Sequence, residues 1–223
     1  GYTGSAQARH SQVLPAWSVA KAKRMGASAI KLLVYYHPDS PTAGEIQTLV
    51  SRVADACVAQ DLAFFLETLS YSLDPGSSKP MGADRRRVVV ETARQLTPLG
   101  ADVLKTEFPV DAESETDVKV WAEACRELSE ASVIQWIVLS AGVDYETYVQ
   151  QVVVACQSGA SGVAVGRAVW KEATALDGDA RTSFLRDVVR DRMARITALS
   201  DALARPWSDV WSPPKVSTGW YRA

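Results

Sequence analysis

The chain of 223 residues is 47% hydrophobic and 22% charged, ordinary globular values that argue against a disordered polymer and allow a sizeable buried core. Its 24 basic and 26 acidic residues give a formal charge of −2, so there is no bulk attraction to nucleic acid or acidic membrane. No apolar run approaches the roughly 18 residues of a membrane helix, and three widely spaced cysteines suggest neither a disulfide framework nor a zinc ribbon. A cytoplasmic protein is the default expectation. The first residues, Gly1-Tyr-Thr-Gly4, carry neither an initiator Met nor a recognisable signal peptide.

In chain order, Pro15 fits the first turn of a helix that ends near Gly26. Ala29–Tyr36 is the first of five short apolar, β-rich runs. Ile46, Leu49, Val50, Val53, Cys57 and Val58 then recur at helical spacing as one apolar stripe. The second run is Leu62–Leu69, and the Pro/Ser/Gly segment Asp74–Gly82 after it reads as a strand-to-helix loop. Gly100 looks like a helix stop before the third run, Asp102–Phe108. The fourth run is Val133–Leu139. Asp144 is a candidate N-cap for a helix with Tyr145, Tyr148, Val149, Val152, Val153 and Cys156 on one face, stopped at Gly159. The fifth run, Gly162–Gly166, precedes a long helix from about Thr182 to Leu203, which Pro206 stops. Strands alternating with helices at this interval predict βαβ units and a parallel sheet. The cysteines fall on apolar stripes as small core residues.

Charges inside apolar strands are informative, because a buried lone charge is costly unless paired or used. Lys31, Glu67, Lys105 and Glu107 each interrupt or end a run. Lys105, between Asp-Val-Leu and Thr-Glu-Phe-Pro, sits within a strand. A lysine held there loses solvation, which favours the neutral amine, a nucleophile toward a ketone. Glu67 is a candidate proton-transfer partner, since carbon–carbon cleavage through an iminium requires deprotonation of a hydroxyl. A structural Lys–Glu pair between neighbouring strands is the competing explanation. Leu139-Ser-Ala-Gly-Val143 and Gly166-Arg-Ala-Val-Trp170 end consecutive strands. Small residues there let backbone N–H groups approach an anion, and an arginine fork adds bidentate binding. Tight turns without a ligand are the alternative.

Trp17-Ser-Val with Gly26–Tyr36, Phe64–Leu69, Asp102–Val110, Leu139–Val143 and Gly166–Trp170 resemble, in order, the tagatose 1,6-bisphosphate aldolase family, which includes the related sulfofructose phosphate aldolases. The resemblance implies a metal-independent class I aldolase on a (β/α)8 TIM barrel. It implies that Lys105 forms the Schiff base with no other cofactor, and that Glu67 acts as acid/base. Lys31 would contact polar groups of the substrate, and Ser140, Gly142, Gly166 and Arg167 would hold a phosphate. The family's barrel begins with a strand carrying Asp-Gln-Arg, followed by two more, and none of the three is present. The visible runs would therefore be strands 4 to 8: a preceding segment of roughly 100 residues is expected first, strands supplied by another chain second and a native truncated paralogue last.

Residues 1–206 are read as the C-terminal part of a single barrel and 207–223 as a tail. Trp207, Trp211 and Trp220 suggest that the tail docks on a surface, its own barrel before an oligomer contact. The expected activity is cleavage of tagatose 1,6-bisphosphate, or a similar ketose bisphosphate, to dihydroxyacetone phosphate and glyceraldehyde 3-phosphate. A sulfofructose 1-phosphate aldolase is the alternative, and a non-catalytic sugar-phosphate-binding subunit a further one. The expected partner is a phosphorylated ketose, with no nucleic acid or membrane and homo-oligomerisation open. His10 and His37, far apart and placed in loops, offer no metal site.

Overall fold

A computed structural model describes residues 2–213 and 215–219. The five apolar runs form the parallel strands β3 (Ala29–Tyr36), β4 (Ala63–Ser70), β5 (Val103–Thr106), β6 (Gln135–Leu139) and β7 (Gly162–Ala164) of one sheet, in sequence order. An antiparallel ribbon precedes them, β1 (Thr3–Gly4) and β2 (Arg9–His10). The predicted runs extend beyond the observed strands at Phe108, Val133 and Gly166, where the chain leaves the ladder for its connections.

Each crossover is helical: α2 (Ala43–Val58), α3 (Gly82–Leu96), α4 (Val118–Ala131) and α5 (Tyr145–Gln157). Their apolar stripes cover one sheet face. On that face Leu32, Leu66, Leu104 and Trp136 stand in register across four strands, and the last three are buried. Asp144 caps α5 as expected, its Oδ1 accepting the Thr147 N–H at 3.0 Å. Gly100 and Gly159 end their helices with left-handed φ. All three cysteines are buried and unpaired.

Three expectations need correction. Pro15 lies in a turn closed by the Trp17 N–H on the Leu14 carbonyl oxygen, outside any helix. The first helix, α1 (Val19–Arg24), begins later because Ser18 Oγ caps it by accepting the Lys21 N–H. The long final helix is built from α7 (Gly178–Ser183), a π-helical segment (Phe184–Val189) and α8 (Arg190–Leu203), with a short α6 (Arg167–Trp170) directly after β7. His10 belongs to β2 rather than a loop, and its Nδ1 lies 2.7 Å from Glu45 Oε2.

Trp207 and Trp211 pack on each other, ring centroids 5.6 Å apart, and both stay exposed instead of packing into a core. Trp220 lies outside the described residues. Among the described residues no helix is long and apolar enough to cross a membrane.

Candidate active site

The second face of the sheet carries the polar side chains. Because side chains alternate along a strand, register alone sorts them. Lys31, Phe65, Val103 and Gln135 form one row, and Leu33, Glu67, Lys105 and Ile137 form the next. Glu67 on β4 and Lys105 on β5 are thus direct neighbours, and Lys105 Nζ donates to Glu67 Oε2 at 3.1 Å. Lys31, one row away on β3, places its Nζ 3.0 Å from the same oxygen. One carboxylate oxygen therefore serves two ammonium groups. The Glu67 side chain is 11% exposed, Lys105 24% and Lys31 53%.

Lys105 and Glu67 line a cavity of about 550 Å³, with Ser140, Gly166 and Arg167 on the same wall. Gly142 lies beside the Arg167 guanidinium. Its φ is +84°, in the left-handed region that favours glycine, and a Cβ there would meet Arg167 Cζ at 3.2 Å, so Arg167 would have to shift by a few tenths of an ångström to admit one. The turn also places Ala141 at a positive φ of 49° and is closed by the Val143 N–H on the Ser140 carbonyl oxygen. The residues expected to bind an anion thus converge. Lys31 is off the cavity wall and reaches the site through Glu67.

Of three further wall residues, Arg9 and Tyr35 escaped the sequence reading of the site and Glu107 was given no role there. Glu107, flagged there as a charge at a strand end, is buried. It accepts from both the backbone N–H and Oγ of Ser70 at 2.6 Å, with Arg85 Nη2 3.8 Å away, and so ties the ends of β4 and β5. Arg9 and Tyr35 line the wall at the β3 side. Arg9 precedes the first periodic run, so no pattern singles it out. The alternation within Ala29–Tyr36 could have found Tyr35, which shares its face with Lys31.

Thiol chemistry does not suit this site. Burial pushes the thiols of Cys57, Cys125 and Cys156 upward, Cys156 to about 11, whereas a nucleophilic cysteine needs a lowered value. Among the described residues no group of three or more His, Cys, Asp or Glu is placed to hold a metal ion.

A parallel α/β sheet of this kind is shared with solved aldolases. An archaeal fructose-1,6-bisphosphate aldolase, solved with its catalytic lysine bound to the carbinolamine intermediate of its substrate, superposes with a TM-score of 0.56. It is 22% identical and the match covers 82% of this chain and 62% of that one. A second archaeal fructose 1,6-bisphosphate aldolase structure gives 0.59 at 22% identity, over 85% and 64%.

The chain belongs to the DeoC/LacD family of aldolases, whose profile matches residues 2–172. It is 34% identical to the tagatose 1,6-diphosphate aldolase of Streptococcus agalactiae serotype V over 76% of this chain and 58% of that protein. It is 32% identical to the enzyme of the same name from Lactococcus lactis subsp. lactis, over 94% and 71%. The chain thus spans a little over half the length of that S. agalactiae relative and of the tagatose 1,6-diphosphate aldolase 1 of S. agalactiae serotype III.

Proposed function

We propose that the protein is a class I aldolase that cleaves tagatose 1,6-bisphosphate, or a closely similar ketose bisphosphate, to dihydroxyacetone phosphate and glyceraldehyde 3-phosphate. The observation that carries the reading is the 3.1 Å contact of Lys105 Nζ with Glu67 Oε2 on the wall of a cavity that also holds Arg167. The family and the names of its relatives support the same reading.

In the proposed reaction Lys105 Nζ attacks the C2 carbonyl, and the carbinolamine loses water to give an iminium. Glu67 takes the proton from the C4 hydroxyl as the C3–C4 bond breaks, and the bonding electrons pass to the iminium as an enamine. Glyceraldehyde 3-phosphate leaves. Protonation at C3 and hydrolysis of the imine then release dihydroxyacetone phosphate and restore the amine. The covalent imine takes the place of an external cofactor. Ser140, Gly142, Gly166 and Arg167 bind the C1 phosphate, and Lys31 orients Glu67 and the sugar's polar groups.

In this reading the five strands are strands 4 to 8 of a (β/α)8 barrel within residues 1–206, and 207–223 form an appended tail. The support is the sheet itself: its polar face is only half-buried, and β3 and β7 are its edges among the described residues. The three buried, unpaired thiols fit a reducing cytoplasmic setting.

Borohydride reduction in the presence of the bisphosphate tests the chemistry. A mass increment on the peptide carrying Lys105, absent in Lys105→Met, is the expected result. Ligand-dependent stabilisation without turnover or trapped imine would instead indicate a sugar-phosphate-binding subunit.

A further inference from the structure

Residues 2–10 show no periodicity, yet the structure ties them down at several points. Thr3 pairs with His10 and Gly4 with Arg9. Gly4 has φ +90°, and a Cβ there would collide with the Ala8 carbonyl oxygen. His10 Nδ1 meets Glu45 Oε2 of α2 at 2.7 Å. Ser40 Oγ donates to the Gln7 carbonyl oxygen at 3.4 Å and lies 2.7 Å from the Tyr71 hydroxyl.

This ribbon presents Arg9, which is 7% exposed. The Arg9 Cζ lies 4.3 Å from the Tyr2 ring centroid, 4.5 Å from Tyr71 and 4.9 Å from Tyr35. Its Nε donates to the Ala6 carbonyl oxygen at 3.1 Å, and among the described residues no carboxylate pairs with it. A buried cation without a counter-charge is costly. Three aromatic faces offset part of that cost and fix the plane of the guanidinium, but they neutralise nothing. Arg9 and Tyr35 line the same cavity as Lys105, Glu67 and Arg167.

The sheet order gives the spacing. Tyr35 is on β3 and Arg167 follows β7, at opposite edges, while Lys105 lies on the middle strand. The strand carrying Tyr35 and the strand preceding Arg167 are thus each two strand spacings, roughly 10 Å, from the lysine strand. We propose that Arg9, caged by Tyr2, Tyr35 and Tyr71, binds the second anionic group of the substrate, at the C6 end of the ketose and opposite the group held by Arg167. The inference rests on the ketose phosphate reading above. The planar fork suits a phosphate monoester or a sulfonate, so substrates charged at both ends are selected over those charged at one.

The test is calorimetric, on the protein at its natural length carrying Lys105→Met to prevent turnover. D-tagatose 1,6-bisphosphate, D-tagatose 1-phosphate and a 6-deoxy-6-sulfo-ketose 1-phosphate are titrated. A ligand charged at C6 should bind roughly 10- to 100-fold more tightly than the 1-phosphate. Arg9→Gln should erase that preference, and Arg9→Lys should keep part of it. Whichever of phosphate and sulfonate loses more identifies the group.

If Arg9→Gln does not give a cooperative melt, the lysine variant decides. A preference equal to the parent's then overturns the proposal, because a shorter head cannot fill the same cage. The proposal also fails if the preference survives Arg9→Gln, if all three ligands weaken equally, or if Lys79→Ala, at another basic residue lining the cavity, removes the preference instead. Borohydride trapping on the protein with Lys105 intact judges the aldolase reading separately.

Discussion

At the scale of single residues, the site depends on how few atoms do the positioning. Glu67 Oε2 receives both Lys31 and Lys105. Glu67→Gln keeps the shape but loses the base and one counter-charge, so kcat should fall by about 10²–10⁴-fold, with borohydride trapping still detectable. Gly142 is the second such point. Gly142→Ala forces a side chain into a left-handed position, at about 1–2 kcal/mol, and pushes on Arg167. Its expected signature is a raised KM for phosphorylated substrate, larger than its effect on kcat. His37 makes a pH prediction. It is buried, its Nδ1 accepts the Asp39 N–H at 3.1 Å, and burial holds its imidazole below the ordinary value of 6.5. A lowered value means that the unfolded chain binds the proton more readily. This contribution is therefore complete above pH 6.5 and declines as pH falls from there toward the folded-state value. Melts across pH 5–8 should show the decline, and His37→Asn, which keeps an acceptor for the Asp39 amide, should flatten it.

The elements show which parts of this were legible in the sequence and why. β3 is bounded as its apolar run predicts, and α5 begins at its predicted cap, because burial and capping are local to the residues that encode them. The Lys105 and Glu67 pairing was also readable, since two charges placed in adjacent parallel strands must meet or remain unpaired. Arg9 was not readable. Its environment is made by Tyr2, Tyr35 and Tyr71, separated along the chain and joined only by the fold. Pro15 misled for a related reason: a proline permits a helix start, whereas the Ser18 hydroxyl bond to the Lys21 N–H creates one. The cap of α5 provides a test at this scale. The Thr147 hydroxyl and backbone N–H hold Asp144 below the usual carboxylate range, so its contribution is present above about pH 4 and lost as pH falls through the lowered value. Asp144→Ala should cost about 1 kcal/mol at pH 7, and the deficit relative to the parent should shrink in acid.

For the molecule as a whole, the two sheet faces set different demands. The helix-covered face is closed, with Val34, Leu66, Leu104, Trp136 and Val138 buried. The polar face leaves Leu33, Phe65, Val103 and Ile137 half-buried around Glu67 and Lys105. Further strands would cover these side chains and would pair the backbone groups at the outer edges that β3 and β7 present among the described residues. Closure into the proposed barrel does both at once: added strands bond to the two edges, and the apolar side chains of the inner face meet in layers. It also dries the surroundings of Lys105, where charge–charge contacts are stronger than in water. Hydrogen exchange on the protein at its natural length distinguishes closure from an open sheet. Peptides covering 29–36 and 162–164 should exchange as slowly as those covering 103–106, since a closed barrel has no edge strand. Fast exchange at β3 or β7 beside slow exchange at β5 would mean that the sheet stays open, and the barrel reading would fall.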